Sequence, residues 1–275
     1  MLRTDGLVPV SALLEVQQMI EEMMMPLHRH FDSGFHGMGV AFKEGAENLS
    51  SVQDEGMALS NGHLPVNFLY RHSVELFLKS MIVTVHRKLR LPTGTGSHTP
   101  YPQVKDGTKW RELTQTHSVK VLLCEFDRLV AENKAGLAQL DAGDWTSSPE
   151  LQGWIDTIET YDDRSTFSRY PCENSPHEEI KSGFVNVDAA TFFLENSARQ
   201  EGQLGRLMLG LKDDNGFIVE SFGQQEVPLS DFRDALAKAS FFLYGCSCGI
   251  HAEVVDGMGT KTKRWNADAA AQRST

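Results

Sequence analysis

Cysteine is scarce in this sequence. The 275-residue chain carries four (Cys124, Cys172, Cys246 and Cys248), with neither a CxxC pair nor the even ladder that staples small secreted domains. Reduced thiols in a cytosolic protein are the simplest account. Cys246 and Cys248 would face different sides of a helix, so they make no zinc half-site. Long apolar runs are missing too. The most apolar stretch, around Phe77–Val85, falls far short of the roughly 18–20 residues a membrane span needs. The opening Met1-Leu2-Arg3-Thr4-Asp5 is not a charged leader followed by an apolar stretch, so no secretory signal is expected.

Positive charge is the third shortage: 26 Lys and Arg stand against 37 Asp and Glu, a formal net charge of −11. Proteins that grip long nucleic acids neutralise phosphates with a basic surface and release counterions. This chain as a whole cannot work that way. A local site is still open to it, because Arg71, Lys79, Arg87, Lys88 and Arg90 fall in one segment, and Lys261, Lys263 and Arg264 form a second small group. An acidic body also suits a basic protein partner. Nucleotide and hydrolase signatures are absent: Gly94-Thr95-Gly96 lacks the Lys-Ser/Thr of a P-loop, and no Gly-x-Ser-x-Gly occurs. His28, His30, His36 and His63 have a spacing poorly suited to a helix and no Cys or Glu pair beside them, so neither a metal nor a cofactor is expected.

What is present is helical pattern. An apolar 40% gives enough material for a core. Ala12 to about Met25 predicts a first helix after Ser11, stopped by Pro26, and Ser33–Gly39 reads as a loop before a weaker helix over 43–59. Leu64–His86 is the strongest segment. Val74, Phe77, Leu78, Met81, Ile82 and Val85 cover one wide arc, while His72, Glu75, Lys79 and His86 make a narrow stripe, with Leu76 and Val83 beside it. A helix apolar nearly all round belongs at the centre of a bundle, where its few polar groups pair or line a site. Leu91–Gly107 reads as a long loop. Further helices are predicted from a Thr116 cap to about Lys134, from Ser148-Pro149-Glu150 onward, from Asp188 to about Arg199, and from a Ser230 cap to about Cys248. Asp213-Asp214-Asn215-Gly216 between Leu207–Leu211 and Phe217–Phe222 is a β-hairpin signal. Residues from about Gly257 read as a frayed tail.

The segment 64–79, with Arg71-His72-Ser73-Val74-Glu75-Leu76-Phe77-Leu78-Lys79, resembles the central helix of HEPN-like proteins, where an Arg-His-Ala-Leu-Glu-Leu-x-Leu-Lys phrase recurs. Thr116-His117-Ser118-Val119 is similar to the family's His-Asp-Leu-type phrase, with Ser118 in place of the usual acid. Ser165-Thr166-Phe167-Ser168-Arg169-Tyr170-Pro171, preceded by Asp162-Asp163, resembles a Phe-Arg-Tyr-Pro segment of one bacterial subgroup, and Val185-Asn186-Val187-Asp188 its late helix start. The likeness spans roughly residues 55–200. It implies a mainly α HEPN-like helical bundle with a small β-hairpin insertion or C-terminal extension. The chain then divides into N-terminal helices (1–60), the core (61–200), the hairpin and C-terminal helix packed on it (201–256), and a tail (257–275).

The resemblance also implies an RNA-directed role, cytoplasmic location and a homodimer. Many such proteins are metal-independent ribonucleases in toxin–antitoxin or antiviral defence systems; others are non-catalytic binding or scaffolding subunits. Active members place an Arg and a His with four to six residues between them near a late helix. Here Arg111 to His117 and Arg29 to His36 have such spacings, at a frequency chance supplies, and Gly245–His251 in the last helix has no arginine. The constellation that invites chemistry is Arg71, His72, Glu75 and Lys79, joined by His117, Arg169 and Tyr170. In one reading His72 and His117 move protons beside Arg71, while Glu75, Lys79, Arg169 and Tyr170 hold the ligand. In the other, Arg71–Glu75 and Glu75–Lys79 are ordinary i,i+4 ion pairs and His117 serves a helix start. A third reading, outside the family, makes the chain a helical small-ligand sensor with the Leu91–Gly107 loop as a lid.

Overall fold

The structure, a computed structural model, describes residues 25–54, 62–93, 100–140, 142–163, 165–167, 184–198, 207–224 and 229–256. The predicted helix over Ala12–Met25, the Arg169-Tyr170-Pro171 phrase and the tail lie outside these, apart from Met25. Among the described residues there are seven α-helices and five short strands, and the chain is mainly α. No helix among them is long and apolar enough to cross a membrane.

Helix α1 covers Phe35–Asp54 and α2 covers His63–Lys88. The start of α1 corrects the expected loop over Ser33–Gly39. Asp32 accepts hydrogen bonds from the amides of Gly34 (2.9 Å) and His36 (2.6 Å), satisfying donors that the first turn leaves free. The glycines that suggested a loop serve packing instead: a Cβ on Gly39 would lie 2.7 Å from the Phe77 ring of α2. Gly39 against Phe77 and Phe42 against His72 set α1 antiparallel to α2.

Burial along α2 is close to continuous, from Val66 to His86, as its all-round apolar pattern predicts. After it, the end of the stretch expected to be a long loop, Leu91–Gly107, holds strand β1 (Gln103–Asp106), which pairs in a hairpin with β2 (Lys109–Glu112) just beyond. Its turn holds Gly107 at φ +59°, a conformation that favours glycine. Helix α3 runs Val119–Glu132. Its cap is Ser118, whose hydroxyl accepts from the Val121 amide, and not Thr116, which donates to the Glu112 carbonyl at 3.0 Å.

A short α4 (Lys134–Gln139) leads to α5 (Pro149–Tyr161), capped by Ser148 as the sequence predicts. Strand β3 (Phe184–Asn186) precedes α6 (Ala189–Ser197), which Asp188 caps. The predicted hairpin forms as β4 (Met208–Lys212) and β5 (Ile218–Gln224), and β3 pairs with β5, giving the antiparallel order β3-β5-β4. Helix α7 covers Ser230–Ile250. It is led in by Leu229 at φ 58°, with no side-chain cap, so Ser230 does not cap it.

Helix α7 lies parallel to α2. Ser73 meets Ser240 (2.6 Å), Ser80 meets Ser247 (3.2 Å) and the Lys88 ammonium meets the Val255 carbonyl (3.4 Å), each pair 167 residues apart. Small hydroxyl residues at these crossings let the two backbones approach while each buried oxygen finds a partner. α5 runs back along α7, with Trp154 on Phe242 and Tyr161 on Phe232. Beyond Ile250 the helix widens into a π turn, His251–Val255. The core therefore has α2 at its centre, with α1, α3 and α7 around it.

Candidate functional site

Four residues of α2 at i,i+4 spacing, Asn67, Arg71, Glu75 and Lys79, form one polar column inside the apolar core, each 3% exposed or less. Such spacing puts their side chains one above the next. The Lys79 ammonium donates to Glu75 Oε1 at 2.7 Å, and Arg71 Nη1 stands 3.5 Å from Oε2. Arg71 Nη2 donates to the His117 carbonyl at 2.6 Å, and its Nε faces Asp162 Oδ2 at 3.9 Å. One guanidinium thereby ties α2 to the segment before α3 and to the turn after α5. Asp162 holds that turn by accepting from the amides of Thr166 and Phe167.

His117 completes the cluster. Its Nδ1 lies 3.0 Å from Glu75 Oε1. An ionised carboxylate only accepts, so Nδ1 carries the proton and donates it. Burial alone would raise the Glu75 carboxyl. The hydrogen bond from His117, together with the charges of Lys79 and Arg71, reverses that and holds it at about 2. The His117 side chain is 44% exposed, whereas that of Glu75 is 1% exposed. The dyad thus has a buried anion and a ring edge turned to solvent.

Beside it, Glu159 of α5 accepts from the Ser118 hydroxyl and the Lys120 amide, both at 3.1 Å. Burial raises the Glu159 carboxyl above its ordinary range, with these hydrogen bonds and Arg71 opposing. Chemically the arrangement can orient an imidazole and leave its far nitrogen for proton transfer. It cannot offer Arg71 or Lys79 to a ligand without uncovering them.

The structure brings together Arg71, Glu75, Lys79 and His117. His72 is half-buried and sits elsewhere: its ring meets Phe42 edge-on at 4.4 Å and stacks on Phe68 at 5.9 Å. Arg169 and Tyr170 lie outside the described residues. Sequence reasoning missed Asn67, Glu159 and Asp162 as members. Asn67 could have been found, one turn before Arg71; the two acids are recruited by tertiary packing alone. Among the described residues no group of three or more His, Cys, Asp or Glu is placed to hold a metal ion. Set against family models, curated proteins and solved structures, the chain matches none.

Proposed function

We propose that this chain is a HEPN-like, RNA-directed component of a bacterial defence or toxin–antitoxin system, acting as a metal-independent ribonuclease through His117. The observation that carries the reading is the hydrogen bond from His117 Nδ1 to a buried Glu75 held ionised at neutral pH, beneath a half-exposed ring. RNA brings its own nucleophile. A base at Nε2 takes the proton of a ribose 2′-hydroxyl, the 2′-oxygen attacks the adjacent phosphorus, and the 5′-oxygen leaves and takes a proton back from the imidazolium. The products are a 2′,3′-cyclic phosphate and a 5′-hydroxyl, with no change of redox state. Glu75 fixes the tautomer and stabilises the imidazolium, as a buried carboxylate does behind other catalytic histidines. Arg71 and Lys79 keep Glu75 ionised and do not contact phosphate.

A second reading has its own support. Arg71 and Lys79 are fully buried and the chain carries a net charge of −11, which favours a non-catalytic HEPN-like scaffolding subunit that docks a basic protein. Labelled single-stranded RNA incubated with the protein in EDTA separates the two, with His117→Ala and His72→Ala alongside. The expected result is EDTA-resistant cleavage that His117→Ala lowers at least 100-fold and His72→Ala largely retains. Loss in His72→Ala alone moves the chemistry to the Phe42–Phe68 side. No cleavage and no RNA binding by the wild type overturns the ribonuclease reading and leaves the scaffold.

A further inference from the structure

We propose that the outer edge of β4 pairs antiparallel with β4 of a second copy of this chain, merging their two small sheets across a two-fold axis. Large apolar side chains open to solvent are concentrated on this hairpin. Leu207, Leu209, Leu211, Phe217, Ile218 and Val219 are each between 50% and 71% exposed. Together they present on the order of 700 Å², close to the roughly 800 Å² that each partner gives to a standard interface. Apolar patches of that size mark contact surfaces. None of these residues belongs to the Glu75–His117 cluster, and the hairpin lies beyond the span that resembles HEPN-like proteins. The pairing and the ribonuclease reading therefore stand or fall separately.

The backbone ladder fixes which groups of β4 are free. Register runs unbroken from the Met208–Gly223 pair to the Leu211–Glu220 pair. The Gln224 amide donates to the Leu207 carbonyl, whereas the Ser221 carbonyl accepts from Val187 on the β3 side. Bonding direction alternates along an antiparallel ladder. Leu207, Leu209 and Leu211 therefore turn their backbone groups toward β5, and Met208 and Gly210 turn theirs outward. No strand among the described residues covers that edge, since the order is β3-β5-β4. Natural edges are blunted by brevity, proline or charge. The β3 edge is brief, three residues ending on Asn186. On β4 there is no proline, and the one charge is Lys212 at its end.

Self-pairing matches this edge in side chains as well as backbone. A two-fold axis normal to the sheet passes through a residue paired with its own copy, so odd-numbered residues always oppose odd-numbered ones. With Gly210 on the axis, Leu209 meets Leu211 of the second copy, and Leu211 meets Leu209. Both leucines point away from α6, which covers the opposite face: a Cβ on Gly223 would lie 2.5 Å from the Phe192 ring. Four leucines thus form one cross-strand cluster. Antiparallel pairing also sends the two acidic turns, Asp213-Asp214, to opposite ends of the merged sheet, which keeps like charges apart. The same acids oppose docking on an anionic bilayer, the other surface that exposed apolar strands seek.

Analytical ultracentrifugation of the full chain over a dilution series tests this. The expected result is a monomer–dimer equilibrium weakened at least about 10-fold by Gly210→Pro, which removes one outward donor from each copy. The proline leaves the bonds of Leu209 and Leu211 to β5 in place, and its Cβ meets only the flexible end of Ile218, at 3.3 Å. Leu209→Lys, at a solvent-facing position, is expected to weaken the dimer at least as much, because it sets a charge against leucine in both copies. Phe241→Ser, on the exposed side of α7, is expected to leave it unchanged. Amide exchange followed by NMR gives a readout that needs no mutation. Met208 and Gly210 are expected to gain protection as concentration rises, while Leu209 is protected throughout. A monomer at every concentration, with or without binding to phosphatidylserine vesicles, overturns the proposal. So does a dimer that Gly210→Pro or Leu209→Lys leaves at wild-type strength, or one in which the Met208 and Gly210 amides still exchange freely.

Discussion

Glu75 shows how much one side chain can carry. It is an anion in an apolar core, and it is tolerable there only because Lys79, Arg71 and His117 all converge on it. Its folded-state value of about 2 lies below the ordinary 4.5. The resulting stabilisation, roughly 3 kcal/mol, is complete above pH 4.5 and drains away as the pH falls toward 2. Replacing it with Gln leaves Arg71 and Lys79 buried without their main counter-charge. Glu75→Gln is expected to cost about 3–5 kcal/mol at pH 7, read as a lower urea midpoint. The gap between wild type and variant should narrow between pH 4.5 and 2.5, and a gap that stays constant over that range would show that the carboxylate's charge is not what matters.

The same residue shows what sequence could and could not give. The i,i+4 spacing of Arg71, Glu75 and Lys79 made their pairing legible, and Thr116-His117 stood out as a phrase. The direction of His72 was not legible. On a helical wheel it falls about 20° from Lys79, yet its ring lies on Phe42 of α1 and Phe68, because an aromatic from another element waits there. Asp162 and Glu159 come from more than 80 residues away along the chain, and nothing local in their segments announces it.

At the scale of elements, caps and glycines carry most of the instruction. Ser148 caps α5 as its position before an apolar run predicts, and Asp188, expected as the first residue of a helix, caps α6. The errors have physical reasons. Gly37 and Gly39 read as loop formers but work as contact points, with Leu27 and Phe77 where their side chains would be. The strands β1 and β2 are only four residues each, too short for alternation to stand out in a Pro- and Thr-rich stretch, although Asp106-Gly107 was a usable turn signal. Ser118 has two duties, capping α3 and donating to Glu159. Ser118→Ala is expected to destabilise by about 1–2 kcal/mol, visible as a lower melting temperature. A Ser118→Asp variant should restore the cap while placing a second acid beside Glu159, so it should recover only part of that loss.

At the scale of the whole molecule, the helical core and the small sheet differ in how well they are covered. The core side chains of α2 are near 0% exposed, whereas Leu209, Leu211, Phe217 and Val219 on the hairpin are between 53% and 71% exposed. Exposed apolar area of that kind favours association between molecules. The double substitution Leu209→Ser and Leu211→Ser is expected to raise the concentration at which light scattering sets in. The change in unfolding free energy should stay within about 0.5 kcal/mol; a larger loss would mean that these leucines hold the sheet together.

The parallel seam between α2 and α7 bears on how the chain is made. Ser73, Ser80 and Lys88 each wait for a partner 167 residues further on, so the central helix is synthesised long before the helix that covers one of its sides. Domains fold as units as the chain emerges, and uncovered apolar surface invites aggregation meanwhile. A nascent chain that has finished α2, α3 and α5 still shows that side to solvent until residues near 250 leave the ribosome. Premature termination anywhere before α7 would therefore leave a sticky fragment and not a smaller working protein.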